Sequence, residues 1–405
     1  MKTPLLVLVL LGLGGCASLP EPAAPADLSS LLSGEAIVGR PVTSAELPER
    51  DLLALSPGMR DYLATVAPQA RPALRLAALV RDFGNNGFQV SYHAGSTLTA
   101  SETWHQQRGN CLAFTLMMVA MTRELGAAAY FNEVDIPPVW DSAEEQTFVV
   151  YRHINMVSES RLGRRVVDFN LEAYDPVYDQ RRLTDRQAFA QYYSNRGIEL
   201  MQAGDHGAAF RHLRKAIDLQ PGSSDLWSNL GALYSRAGHV SEAEQSYQQA
   251  LALDSAHLVA ISNLERLYRV SGRTGLADAY AKRARHHRAH NPYFLYYQAR
   301  SAYEDGNYAD AEKQLKRALR QHEDDHRFHF LMGLTSFRLG DVKSSREHFT
   351  QAFLLAGNPA TENAYARKLR AISGGELRFE SPGRRGAATP DLGVRVVDPE
   401  TFISN

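Results

Sequence analysis

The chain has 405 residues, enough for about two or three domains. Its 44% hydrophobic and 22% charged residues are ordinary for a globular protein with sizeable cores. A formal net charge of -1 excludes any global electrostatic drive toward nucleic acid or an anionic membrane surface.

Lys2 supplies a positive start, and Leu5 to Leu13 form an apolar run too short to span a bilayer as a mature helix. Small residues then precede Cys16, one of 2 cysteines in the chain, in Leu13-Gly14-Gly15-Cys16. The pattern resembles the lipobox of bacterial lipoproteins. That resemblance implies a signal peptide over 1–15, cleavage before Cys16, and acylation of both its sulfur and its new amino group. Several acyl chains hold a protein on a membrane where a single chain gives marginal binding. Ala17 rather than Asp after the cysteine implies, by the same resemblance, an outer-membrane anchor facing the periplasm. Residues 16–46 are expected as the acylated cysteine and a Pro/Ala-rich, semi-rigid tether.

Residues 47–189 lack the repeat described below and carry the chemistry-bearing residues. Pro72 to Phe83 reads as a helix, with Pro72 suited to its first position, and Phe88 to Tyr92 as a short strand. Thr99-Ala100-Ser101-Glu102 is a capping box, predicting a brief helix that carries Trp104 toward Cys111. From Leu112 to Leu125 the chain is apolar on nearly every helical face, so a buried central helix is expected. Cys111 falls in its first turn, where unpaired amides and the macrodipole favour thiolate over thiol.

Thr147 to Val157 alternates as a strand with Val149, Tyr151, His153 and Asn155 on one face, and Arg164 to Phe169 is a second strand. A hairpin turning around Ser160-Arg161 puts His153 directly opposite Asp168, and a register shifted by two leaves them diagonal on the same face. Asp168 is then placed to accept from the imidazole Nδ1–H while the other ring nitrogen meets the Cys111 sulfur. The Cys111 amide is the natural first oxyanion donor, and Trp104, Gln106 and Gln107 are candidates for the second.

Order and setting resemble the transglutaminase-like superfamily, over about Pro72 to Pro176. The matching pieces are Arg108-Gly109-Asn110-Cys111, Arg152-His153-Ile154-Asn155-Met156 and Val166-Val167-Asp168-Phe169-Asn170. The resemblance implies a papain-like α+β core and a Cys111, His153, Asp168 triad. Asn110 stands where animal transglutaminases carry Gln, and Leu112 where they carry Trp, so both hydrolysis and cross-linking stay open.

From Ala190 to Pro359 the sequence repeats every 34 residues. Gly197, Gly231, Glu265, Ala299 and Gly333 occupy one phase, and Ala209, Ala243, Ala277, Ala311 and Ser345 a second. Ala216, Ala250, Ala284, Ala318 and Ala352 occupy a third. A fourth, Gly204, Gly238, Gly272, Gly306 and Gly340, puts glycine where each first helix must stop. The pattern resembles the tetratricopeptide repeat, best in Trp227, Leu230, Gly231, Tyr234, Ala243, Tyr247 and Ala250. Five repeats and a capping helix over Thr361 to Ile372 are therefore expected within 190–372. The aromatic cluster around Tyr293 to Tyr308 reads either as groove lining or as inter-repeat packing, and Lys282 to His290 as a solvated basic face.

The expected architecture is an α+β papain/transglutaminase-like core over 47–189, an all-α tetratricopeptide-repeat solenoid over 190–372, and a largely disordered tail over 373–405. The expected function is thiol acyl transfer, as peptidase, amidase or transglutaminase-like enzyme, on a protein or peptide captured by the repeats. A non-catalytic scaffold lipoprotein is the alternative. No metal, cofactor or nucleic-acid partner is expected, and the lipid anchor on Cys16 supplies the membrane contact.

Overall fold

The computed structural model describes residues 28–85, 90–134, 153–160, 163–168, 180–356 and 359–372. Cys16, the expected signal peptide over 1–15 and the expected tail over 373–405 lie outside the described residues.

Two short helices, α1 (Leu28–Ser33) and α2 (Glu35–Val38), open the described chain. Residues 28–46, expected as tether, are instead folded onto the body of the protein. Leu31 is fully buried, and its carbonyl accepts from the Tyr234 hydroxyl at 2.6 Å. Next come α3 (Pro57–Thr65), α4 (Pro72–Asn85), strand β1 (Ser91–Tyr92), α5 (Ala100–Gln106), strand β2 (Arg108–Gly109) and α6 (Cys111–Glu124). The Thr99 capping box at α5 forms as its sequence requires. Helix α6 is buried without interruption from Leu112 to Thr122, the expected consequence of apolar residues on every face.

Strands β3 (Tyr130–Val134), β4 (His153–Ser160), β5 (Gly163–Val167) and β6 (Gln180–Leu183) form an antiparallel sheet in the order β5-β4-β3-β6. Side chains alternate across it. Phe131, Ile154, Met156, Val167 and Leu183 join the core built around α6, while Val134, Val157 and Val166 form a separate cluster.

Then follow five helix pairs: α7 (Asp185–Gln202) with α8 (His206–Leu219), α9 (Ser224–Arg236) with α10 (Val240–Leu253), α11 (Leu258–Val270) with α12 (Thr274–Ala289), α13 (Pro292–Glu304) with α14 (Tyr308–Leu319), and α15 (His326–Arg338) with α16 (Val342–Leu355). A last helix, α17 (Pro359–Ile372), packs on the fifth pair through Tyr365, whose hydroxyl meets His326 Nδ1 at 2.7 Å. The period is physical: Gly204 and Gly238 both turn the chain at φ 85, where a side chain would be strained. At the small-residue phase, a Cβ on Gly231 would lie 2.7 Å from the Tyr247 ring, so only glycine lets the paired helices approach. Tyr293, Tyr296 and Tyr303 are half-buried and pack against the core of the fourth and fifth pairs, so about half of that aromatic cluster serves packing.

One hydrophobic core runs from Leu31 through α6 and the sheet into the third helix pair. Polar ties reinforce the junction. Arg123 on α6 grips both Asp185 oxygens at 2.6 and 2.8 Å, and Glu199 on α7 accepts from the Thr97 amide at 2.8 Å. The sheet region and the first repeats are thus built as a continuous body.

Candidate functional site

The Cys111 turn is fixed from three sides. Strand β2 lies parallel to β1, with Ser91 opposite Arg108 and Tyr92 opposite Gly109. Asn110 then leaves the ladder in an extended conformation and caps α6, its Oδ1 accepting from the Ala113 amide at 3.0 Å. Its Nδ2 donates to Thr97 Oγ1 at 2.6 Å, and its own amide donates to the Ser96 carbonyl at 3.0 Å. Gly109 is obligatory here, because a Cβ would sit 2.8 Å from that of Ala113. Cys111 therefore occupies the first helical position, half-buried and free of any disulfide.

The sheet brings the other two residues to it. His153 begins the described part of β4 and pairs with Val134. Its Nε2 lies 2.8 Å from Asp168 Oδ2, and Cys111 is near enough to the same ring to influence its charge. Asp168 is fully buried, while 16% of the His153 side chain remains accessible. The three sequence candidates thus converge.

Two details differ from expectation. The β4–β5 ladder pairs Ser160 with Gly163 and Met156 with Val167, so His153 and Asp168 are diagonal rather than directly opposite. The ring also binds the carboxylate through Nε2, not Nδ1, which leaves Nδ1 for the sulfur. The diagonal offset explains the change: the carboxylate must reach along the strand, and the ring turns its far nitrogen to meet it.

Burial is the largest influence on the His153 imidazole and opposes its charge. Hydrogen bonds and opposite charge from Asp168 and Cys111 outweigh it and raise the pKa to about 10. At neutral pH the ring is a cation held between a carboxylate and the sulfur.

Three residues not assigned from sequence complete the setting. Asn155 Nδ2 donates to the same Asp168 oxygen at 2.9 Å and takes Asn132 Nδ2 on its own oxygen at 2.9 Å. Its place two residues after His153 on an alternating strand was the available signal. The Thr115 hydroxyl lies 2.7 Å from the Cys111 carbonyl and 3.1 Å from that of Ile154, pinning the first turn of α6 to β4. Tyr92 brings its phenol into the electrostatic reach of Cys111; burial first, and that negative charge second, push its pKa up to about 12.

The three oxyanion candidates make the following contacts. Trp104 tilts against Tyr62 with ring centroids 5.2 Å apart, and its indole nitrogen faces Gly58 on α3. The Gln106 side-chain oxygen accepts from Arg108 Nε at 3.1 Å. Gln107 is exposed, closes α5 in the left-handed region at φ 49, and gives its carbonyl to the Ser91 amide at 2.9 Å.

Apart from this site, a small open recess lies between the sheet and the first repeats. Glu133 and Arg181 line it from the sheet, Gln191 and Asn195 from α7, and Asp225 and Asn229 from α9. Further along the solenoid, His329 Nδ1 faces His348 Nδ1 at 2.9 Å, and His326 instead binds Tyr365. Among the described residues no group of three or more His, Cys, Asp or Glu could hold a metal ion.

Comparison with known proteins bears on the helical half. Two family models, each described as tetratricopeptide repeat, match residues 200–266 and 296–359. The O-mannosyl-transferase F38B6.6 of Caenorhabditis elegans is 33% identical over 120 residues, covering 30% of this chain and 15% of that protein. The human O-mannosyl-transferase TMTC3 is 28% identical over 132 residues, covering 32% of this chain and 14% of that protein. The chain thus spans only about a seventh of either. The uncharacterized protein MJ0572 of Methanocaldococcus jannaschii is 32% identical over 65 residues, covering 16% of this chain and 76% of that one. Among solved structures, pilF of Pseudomonas aeruginosa is similar at 17% identity and TM-score 0.25, covering 48% of this chain and 96% of its own. MamA of Desulfovibrio magneticus RS-1 is similar at 17% identity and TM-score 0.24, covering 42% and 96% respectively. The helical half of this chain is a tetratricopeptide-repeat array, a protein-binding scaffold.

Proposed function

We propose that this chain is a thiol acyl-transfer enzyme of the cell envelope, using Cys111 as nucleophile, His153 as proton carrier and Asp168 as the residue that orients and charges the ring. The observation that carries the reading is the convergence of the three residues: the His153 ring is bonded to buried Asp168 at 2.8 Å, with Cys111 near enough to act on the same ring. In this reading the Cys111 sulfur attacks an amide carbonyl, forming a C–S bond while the carbonyl electron pair moves to oxygen. The His153 cation then protonates the departing nitrogen as the C–N bond breaks, leaving a thioester. The neutral ring next takes a proton from water or an amine, which attacks the thioester and releases the thiolate.

The transglutaminase-like resemblance of the motifs around these residues supports the same chemistry. Departures at Asn110 and Leu112 set this chain apart from animal cross-linking enzymes, and Asn110 here serves the helix cap instead. In this reading the repeats supply the protein or peptide partner. Tethering capture and chemistry in one chain raises the effective concentration of substrate at the thiol. The Cys16 motif adds the proposal that the enzyme is lipid-anchored, facing the periplasm from the outer membrane.

A non-catalytic scaffold is the second reading, favoured by the repeat array alone. Replacing Cys111 by Ala separates the two. For the enzyme, turnover of envelope protein extract is lost while the melting temperature moves by no more than a few degrees, since about 1 kcal/mol shifts a domain of this size by roughly 2–4 °C. Unchanged turnover, or a collapse of the fold with the activity, supports the scaffold.

A further inference from the structure

We propose that the Tyr92 hydroxyl, together with the Cys111 main-chain amide, donates to the oxyanion formed when Cys111 attacks a carbonyl. The inference rests on the acyl-transfer reading and names a residue for that same site.

An oxyanion donor must be a protonated group held rigidly beside the nucleophile before the reaction begins. Tyr92 meets both conditions. Its strand is clamped on each side, by Ser91 N–H to the Gln107 carbonyl at 2.9 Å and His93 N–H to the Gly109 carbonyl at 3.0 Å. The parallel register sets Tyr92 opposite Gly109, two residues before the nucleophile. Gly109 cannot drift, because its neighbour Ala113 closes the space a side chain would need. The strand that carries the phenol is thus fixed to the turn that carries the thiol.

The protonation state follows from the same surroundings. Burial and the negative charge of Cys111 keep the phenol protonated up to about pH 12. It is therefore a neutral O–H donor throughout the range in which a thiolate works. With 38% of the residue exposed, Tyr92 is not sealed from solvent. The upstream alternatives are committed elsewhere: Trp104 to Tyr62, Gln106 to Arg108, and Gln107 to the loop that closes α5.

Two small probes of Cys111 separate this role from others. p-Nitrophenyl acetate acylates a thiolate through a tetrahedral oxyanion: the sulfur forms a C–S bond, the carbonyl pair moves to oxygen, then returns as p-nitrophenolate leaves with the C–O pair. Iodoacetamide alkylates the same sulfur by direct displacement of iodide, with no oxyanion. In the full chain carrying Tyr92→Phe, acylation is expected to fall by about 10²–10³-fold while the alkylation rate of Cys111 is unchanged. Unchanged alkylation also shows that the variant is folded around the thiol. Equal acylation by wild type and Tyr92→Phe overturns the assignment and leaves the acyl-transfer reading standing. Equal loss of both reactions overturns it too, since Tyr92 would then support the thiolate. A wild-type Cys111 that is alkylated but never acylated sinks the acyl-transfer reading, and this assignment with it.

Discussion

Replacing Asp168 by Asn removes one charge from a fully buried position and leaves the shape nearly unchanged. In the native protein His153 is raised from 6.5 to about 10 against the opposing effect of burial. At about 1.4 kcal/mol per pH unit, that difference is roughly 5 kcal/mol favouring the charged ring. The Asp168 hydrogen bond is the largest of the favourable contributions, followed by Cys111 and by the charge of Asp168 itself. The variant is therefore expected to lower the His153 pKa by at least about one unit, as burial goes less opposed. Ring carbon chemical shifts followed by NMR across pH, with His153→Gln used for assignment, read this directly. The same change appears in stability. A histidine raised in the folded state contributes fully below its unfolded value near 6.5, and the contribution is lost as pH rises toward about 10. Measured in a Cys111→Ala background, which removes the thiol's own titration, the parent should lose stability at up to about 1.4 kcal/mol per pH unit above 6.5. The Asp168→Asn variant should lose this slope at lower pH than its parent. An Asn variant whose His153 titrates where the native ring does would refute the electrostatic account of the site.

Two further perturbations test the supporting geometry. Gly109→Ala forces a Cβ to within 2.8 Å of Ala113 and should cost about 1–3 kcal/mol in denaturant unfolding while slowing Cys111 alkylation; Gly95→Ala, with nothing within 4 Å, should do neither. Asn155→Ala deprives the buried Asp168 oxygen of its 2.9 Å donor, so a loss of about 1–3 kcal/mol is expected in the same assay, and a neutral outcome would mean that this bond adds nothing to stability.

Much of the molecule was legible because its constraints are local. The 34-residue period is written in residues that must be small or must turn, and Ala209, Ala243, Ala277 and Ala311 are all fully buried. The apolar length of α6 likewise depends on neighbours a few positions away, whereas the cap at Asn110 emerged only in the structure. What escaped depends on longer distances. Leu28, Leu31 and Leu32 are too few for a helical period to stand out, and only packing against α8 and α10 makes them structure. The choice between a direct and a diagonal His153–Asp168 pair turned on where the hairpin closes, and the ring nitrogen followed from that offset. Tyr92 was read only as strand, because its nearness to Cys111 is created by β1 pairing with β2 across 17 positions of sequence.

The central claim is that the Cys111 sulfur carries an acyl group during turnover. Intact-mass analysis after brief exposure of the full chain to p-nitrophenyl acetate, followed by peptide mapping, measures this. The account predicts an acyl adduct on Cys111 that decays with time and is absent from Cys111→Ala and much reduced in His153→Gln. A folded protein whose Cys111 takes up no acyl group, or takes it up no faster than an unfolded thiol, would contradict it.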